Sequence, residues 1–222
     1  MKRRRFKTPD ELTAAVADRL AKALWPDRQG GVRAIMLAGG RTPQAAYREL
    51  AARVPPVAPG RRLFLSDERY VPAGSPESNQ GLLDELAHGL HVPEEHVLRV
   101  RTDRPLEAAA ARYHEDLAAL FQAGARVTLG LLGLGADGHT ASLFGEDDVR
   151  RGPDRYAVAV RRPSPPDRIS VTPRLLARIE EIIFVVSGKE KEAIVEQLAE
   201  HPASLPAGLA VAGHHNVKLW IA

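Results

Sequence analysis

Cysteine is missing from all 222 residues of the chain. That absence excludes disulfides, thiolate zinc sites and cysteine nucleophiles. It suits a reducing compartment, so the expected location is the cytoplasm. No apolar run approaches the roughly 18 residues that a membrane helix needs. The start, MKRRRFKTPDEL, is basic but lacks the apolar stretch of a secretory signal, and it reads as a solvated end. Charge of one sign does not dominate either. The formal net charge is +3, with 28 acidic residues scattered among 31 basic ones. Arginine heavily outnumbers lysine and alanine is abundant, as in GC-rich genomes. Nucleic-acid binding needs a concentrated basic face, which this scatter does not supply. No internal repeat or low-complexity linker stands out. A chain that is 44% hydrophobic and 27% charged at this length can bury one α/β core, so a single domain over residues 1–222 is expected.

The residues that are present alternate between two periodicities. Thr8-Pro9-Asp10-Glu11 forms a capping box with proline at the first helical position, which predicts a helix over 9–25. Apolar runs at 32–38, 62–66, 127–133, 156–160, 168–172, 181–187 and 217–222 read as strands. Helical patterns at 44–54, 81–90, 104–124, 173–179 and 188–201 fall between them, and 67–80 reads as a long polar loop. This order predicts an α/β fold: an open, mainly parallel sheet with helices on both faces. Ligands of such sheets bind beyond the carboxyl ends of the strands.

One of those ends carries Gly133-Leu134-Gly135-Ala136-Asp137-Gly138-His139, which matches the dinucleotide pattern G-x-G-x-x-G. The context argues against a dinucleotide. Asp137 would repel a pyrophosphate inside the loop, and the next strand ends in Val160-Arg161-Arg162 rather than in the acid that holds a ribose. The alternative is that the glycines allow close approach of a small ligand, with Asp137 and His139 presented to it. A simple capping pair is the plainer explanation of one Asp beside one His.

Other strand ends bring matching groups. Gly39-Gly40-Arg41-Thr42 lies between a strand and a helix, where free amides favour an anion; Thr42 can cap that helix, and the Gly-Lys-Ser/Thr ending of a Walker loop is missing. Asp67-Glu68-Arg69 follows a strand, although such a triplet is commonly a solvated charge cluster. Arg168 stands after the stiff pair Pro165-Pro166, and Lys191 lies one turn into a helix. One candidate base among several anion-binding groups suits a phosphorylated small molecule.

In this order AGGRTP (38–43), SDERYVP…SPESNQGLL (66–83), LGLGADGHTASLFG (132–145), PPDRISVT (165–172) and SGKEKEAI (187–194) resemble the 6-phosphogluconolactonase family over nearly the whole chain. DGHTASLF is the most specific element. The resemblance implies a Rossmann-like fold shared with glucosamine-6-phosphate deaminases. It implies hydrolysis of 6-phospho-D-glucono-1,5-lactone to 6-phosphogluconate in the oxidative pentose phosphate pathway, with no metal or organic cofactor. The partner is then the small sugar-phosphate lactone, with neither nucleic acid nor membrane. Arg41 replaces a frequent serine, Gly145 a frequent proline, and the chain stops at Trp220-Ile221-Ala222 without the usual acid.

On this reading His139 is the general base that activates water and then the acid toward the ring oxygen. Asp137 orients the loop or the imidazole. Gly39, Gly40 and Thr42, with Arg168 and Lys191, grip the phosphate, and Asp67 and Asn79 bind sugar hydroxyls. Arg69 serves either the phosphate or the carbonyl oxygen, and the sequence leaves both open. Ser142 lacks the G-x-S-x-G surround of a nucleophile elbow. The rival deaminase motif carries an acid after an asparagine where Ser142-Leu143 stands here. A sugar-phosphate sensor would need an output module for which the chain has no room.

Overall fold

The structure is a computed structural model that describes residues 1–25, 30–53 and 55–222. Its elements in chain order are β1 (Lys2–Arg5), α1 (Pro9–Leu24), β2 (Arg33–Leu37), α2 (Arg41–Arg53), β3 (Arg61–Leu65), β4 (Asp67–Arg69), α3 (Gln80–Gly89), β5 (Val97–Leu98), α4 (Leu106–Gln122), β6 (Arg126–Leu132), α5 (Glu146–Arg150), β7 (Ala157–Val160), β8 (Arg168–Val171), α6 (Pro173–Leu176), β9 (Ile182–Val186), α7 (Glu192–Glu200), α8 (Pro206–Ala210) and β10 (Val217–Ile221). The expected helix end at Val54 lies outside the described residues.

A strand buried on both faces sends alternate side chains into two cores. In β2, Ala34 and Met36 enter one core while Ile35 and Leu37 enter the other. Strand β9 divides Ile182, Phe184 and Val186 from Ile183 and Val185 in the same way. Apolar stripes of α1, α2 and α3 close one face, through residues such as Leu12, Leu50 and Leu83. Residues of α4, α6, α7 and α8 close the other, among them Leu117, Leu175, Leu198 and Ala207. The sheet has 7 strands in the order β1-β10-β9-β6-β2-β3-β5, all paired in parallel. The expected open sheet with helices on both faces is therefore present. From β2 the chain proceeds outward to β3 and β5, and from β6 it proceeds the other way to β9 and β10. The boundary between β2 and β6 is the topological switch point, where such sheets open a crevice.

Three features differ from the sequence expectation. The basic start is an edge strand: Lys2–Arg5 pair with Lys218–Ile221, Arg3 and Arg5 meet Glu196, and Arg4 lies over the rings of Phe6 and Trp220. Its four side chains are exposed, so hydrophobic pattern gives no sign of it. Second, β7 and β8 leave the main sheet and form an antiparallel sheet with β4, in the order β4-β8-β7. Strand β4 lies inside the stretch expected as loop, because its three residues DER are polar. Third, the capping box at α1 is shifted. Thr8 Oγ1 accepts from Glu11 N at 3.2 Å, while Glu11 takes the amide of Lys7 rather than that of Thr8.

At the amino ends of β9 and β10, Glu181 is 6% exposed and joins α1 to the sheet through Arg19 and Lys218. Burial pushes its carboxyl up, but hydrogen bonds and charge from Lys218 and Arg19 outweigh that and hold it below the ordinary glutamate value. A carboxylate depressed in the folded state stabilises above its unfolded pKa and loses that contribution as pH falls through the folded value. Glu181→Gln should therefore destabilise the protein at pH 7 by more than the ~1 kcal/mol of an exposed pair. The gap between variant and wild type should shrink below the usual carboxylate range, about pH 4. Urea unfolding at both pH values reads this, and a gap independent of pH would refute it.

Candidate active site

Three loops meet at the carboxyl ends of β2, β3 and β6. They enclose a cavity of 130 Å³ whose wall includes Gly39, Gly40, Asp67, Arg69, Asn79 and His139. The first loop is short because α2 begins at Arg41, directly after Gly40 at φ 103°. This places Thr42 inside the first helical turn rather than at its cap, half-buried and off the cavity wall. The first amides of α2 lack intrahelical acceptors and face the end at which Gly39 and Gly40 line the cavity.

The loop after β6 is organised around the imidazole. His139 Nδ1 pairs with Asp137 Oδ1 in a short contact, and the His139 amide reaches the same oxygen at 3.3 Å. These two side chains do touch, although they are two residues apart on a tight turn. With Nδ1 engaged, Nε2 is the ring nitrogen left for the cavity. Burial pushes the Asp137 carboxyl up, but the hydrogen bonds and charge of His139 prevail and hold it below its ordinary value. A Cβ on Gly135 would meet the His139 ring and the Asp137 carboxylate, so that glycine makes room for the pair. Gly138, at φ 79°, packs against Leu205 and turns the chain. The glycine spacing therefore serves the imidazole rather than a pyrophosphate. Ala141 holds φ 47° on the cavity wall, a strained value for a residue with a Cβ.

The two carboxylates of β4 lie in opposite surroundings. Asp67 Oδ1 accepts from Ser66 Oγ and Oδ2 from Ser142 Oγ, each at 2.7 Å. Ser142 N in turn donates to Ser170 Oγ at 3.2 Å. Asp67 thus lines the cavity while tying β3, the His139 loop and β8 together. Ser142, 1% exposed and donating to Asp67, is not available as a nucleophile. Glu68 is 1% exposed and faces away from the cavity. Its Oε1 accepts from Arg69 N at 2.6 Å and Asn79 N at 2.7 Å, and its Oε2 from Ser78 Oγ at 2.9 Å and Gln80 N at 2.7 Å. A carboxylate from a strand thereby caps α3. Burial raises the Glu68 carboxyl and these hydrogen bonds pull it back down, with burial the larger effect. Asn79, pinned by this cap, donates Nδ2 to Asp67 O at 3.1 Å and fills the space that a Cβ on Gly39 would need.

Arg69 lines the cavity, and the antiparallel register places Arg168 directly across from it. Arg69 donates to Glu77 O at 2.6 Å, and Arg168 to the carbonyls of Pro166 and Asp167. Burial and then the charges of Arg69 and Arg162 depress the Arg168 guanidinium, with Asp67 opposing. Like charges placed opposite in a ladder are unfavourable unless an anion joins them. Lys191 is brought elsewhere: its Nζ donates to Leu134 O at 3.0 Å and holds the glycine loop, away from the cavity wall.

Residues 7–220 match the family described as glucosamine-6-phosphate isomerases/6-phosphogluconolactonase. The chain belongs to this family. The 6-phosphogluconolactonase of Homo sapiens is 31% identical over 226 residues, covering 96% of this chain and 87% of that protein. The 6-phosphogluconolactonase of Thermotoga maritima is 36% identical over 180 residues, covering 78% and 77%. The Thermotoga maritima crystal structure matches with a TM-score of 0.83 at 27% identity, over 99% of this chain and 98% of that one. A monomeric glucosamine-6-phosphate deaminase shares the fold, with a TM-score of 0.80 at 20% identity over 100% and 97%.

Beside this cavity, Glu68 is the residue that sequence reasoning passes over. An acid between Asp67 and Arg69 reads as surface charge, and only the alternation of β4 signals that it points opposite to its neighbours. Glu68→Gln would set an NH₂ against amide and hydroxyl donors. The expected cost is about 1–3 kcal/mol of stability, together with weaker turnover as Asn79 and Arg69 shift. Urea unfolding and steady-state rates on one preparation check this, and an unchanged midpoint would contradict it.

Proposed function

We propose that this chain hydrolyses 6-phospho-D-glucono-1,5-lactone to 6-phosphogluconate, the lactone-opening step of the oxidative pentose phosphate pathway. The observation that carries the proposal is an imidazole oriented by Asp137 in a cavity that also holds Arg69 of the Arg69–Arg168 pair. The relatives' names and the family motifs support the same substrate. The cysteine-free composition supports a cytoplasmic setting.

In the first step a water attacks the lactone carbonyl carbon and gives its proton to His139 Nε2. Negative charge develops on the carbonyl oxygen, where the free amides at the start of α2 would stabilise it. The bond between the carbonyl carbon and the ring oxygen then breaks. The imidazolium returns its proton to that oxygen, which leaves as a hydroxyl. Asp137 keeps Nδ1 protonated and so keeps Nε2 free to accept. Arg168 and Arg69 hold the phosphate as a bidentate pair. Asn79 and the cavity-facing lone pairs of Asp67 serve the sugar hydroxyls.

Isomerisation of an amino sugar would need a second acid or base from the His139 loop. Ser142 and Leu143 there are buried, and Ser142 is bonded to Asp67. The lactonase reading is therefore preferred to the deaminase one.

The substrate can be generated in place, at mildly acidic pH where spontaneous hydrolysis is slower, with product followed by coupled reduction of NADP. His139→Ala should lower kcat by about 10²–10⁴-fold with little change in KM. A full-rate variant removes His139 from the mechanism, and a wild type no faster than background removes the function. Arg168→Ala should raise KM for the phosphorylated lactone by tenfold or more, about the worth of a charge-assisted hydrogen bond. KM for unphosphorylated glucono-1,5-lactone should not change, and equal effects on both substrates would place Arg168 away from the phosphate.

A further inference from the structure

We propose that Arg162 is a positioning residue for His139, acting through the ring of Phe144. The inference rests on the reading of His139 as the base. The contact with Asp137 fixes one atom of the imidazole, Nδ1, and leaves the ring free to tilt about that bond. A ring contact also bears on the tilt: the ring centre of Phe144 lies 4.4 Å from that of His139 at an interplanar angle of 41°. Phe144 is itself only half-buried, so a packed core does not hold it. Its ring carries the Arg162 guanidinium 3.5 Å from the ring centre. A cation over an aromatic face is attracted by the ring quadrupole, and a planar guanidinium also stacks on it.

Arg162 is built for this contact rather than for an ion pair. Its guanidinium meets no carboxylate among the described residues. Its amide donates to Asp167 Oδ1 at 2.8 Å, and Asp167 O accepts from Tyr70 N at 2.8 Å. The backbone of Arg162 is thus tied to the β4–β8 sheet, which carries Arg69 and Arg168. Neither Arg162 nor Phe144 lines the cavity, so the effect on chemistry passes through the imidazole. The stack joins the paired-arginine side of the site to the loop of the base.

The test compares Arg162→Ala, Arg162→Lys, Phe144→Leu, the double variant Arg162→Ala/Phe144→Leu and His139→Ala, on both the phosphorylated and the unphosphorylated lactone. Arg162→Ala should lower kcat by about 5- to 20-fold on both substrates, with KM within about twofold of wild type. Lysine should restore part of the loss, and the double variant should be no slower than the worse single one, as expected when both act through one ring. Three results would overturn the inference: kcat within about twofold of wild type, additive losses in the double variant, or a KM rise confined to the phosphorylated lactone, which would make Arg162 an anion contact. A slow His139→Ala beside a normal Arg162→Ala defeats this inference alone. A full-rate His139→Ala defeats the base assignment and this inference together.

Discussion

The pairing of β2 with β6 is the constraint on which the site depends. These strands run parallel, and the chain leaves them in opposite directions along the sheet. Their carboxyl ends therefore cannot be covered by one continuous crossover. The Gly39-Gly40 turn and the Gly133–Ala141 loop face each other across that gap, and Asp67 closes the third side from the end of β3. Both faces of the sheet are sealed by helices, so the crevice at the strand ends is where polar groups meet solvent. The His139 imidazole, the Gly39-Gly40 turn and Arg69 collect there because the backbone delivers them to the same edge.

A crevice of this kind holds its shape only if the carboxylates beside it are satisfied. An unpaired buried carboxylate costs several kcal/mol. Asp67 and Glu68 avoid that cost by different means, the first through two serine hydroxyls and the second through three amides and one hydroxyl. Each set of donors comes from a different segment of chain. Satisfying the charge therefore also fixes the positions of the His139 loop, α3 and Asn79 relative to β4. The arginines obey the opposite logic. Arg69 and Arg168 stand across from each other with backbone carbonyls as partners, and the proposed phosphate contact draws on that pair.

Much of this was legible from residue order. Alternating apolar runs mark β2, β3, β6 and β9 because each is buried on two faces, and the glycine turns mark the loops at their ends. The seam of exposed arginines in β1 and the polar β4 were not legible, since edge and short strands are held by hydrogen bonds rather than by burial. Sequence order also assigned Lys191 to an anion by analogy with helix starts. In the fold its Nζ donates to Leu134 O in the glycine loop, because Lys191 sits in a turn before α7 rather than one turn inside that helix. Thr42 moved for a similar reason: α2 starts one turn early at Arg41, since Gly40 supplies the positive φ that lets the strand turn directly into helix.

The loop Gly133–His139 shows why glycine spacing alone does not name a ligand. A glycine marks a place where a Cβ cannot fit, and what occupies that place decides the chemistry. In a dinucleotide site the occupant is a pyrophosphate. Here, at Gly135, it is the protein's own imidazole and carboxylate. Folding that pair onto the backbone fills the approach a phosphate would use and leaves Nε2 as the unengaged ring nitrogen. Gly39, Gly40 and Arg69 line the same cavity, so backbone amides and a guanidinium offer donors there from other segments of the chain. The proposed base and the proposed anion donors therefore come from different segments around one cavity. A reaction at one end of a phosphorylated sugar, held by its other end, needs two such sets of groups rather than one glycine loop doing both tasks.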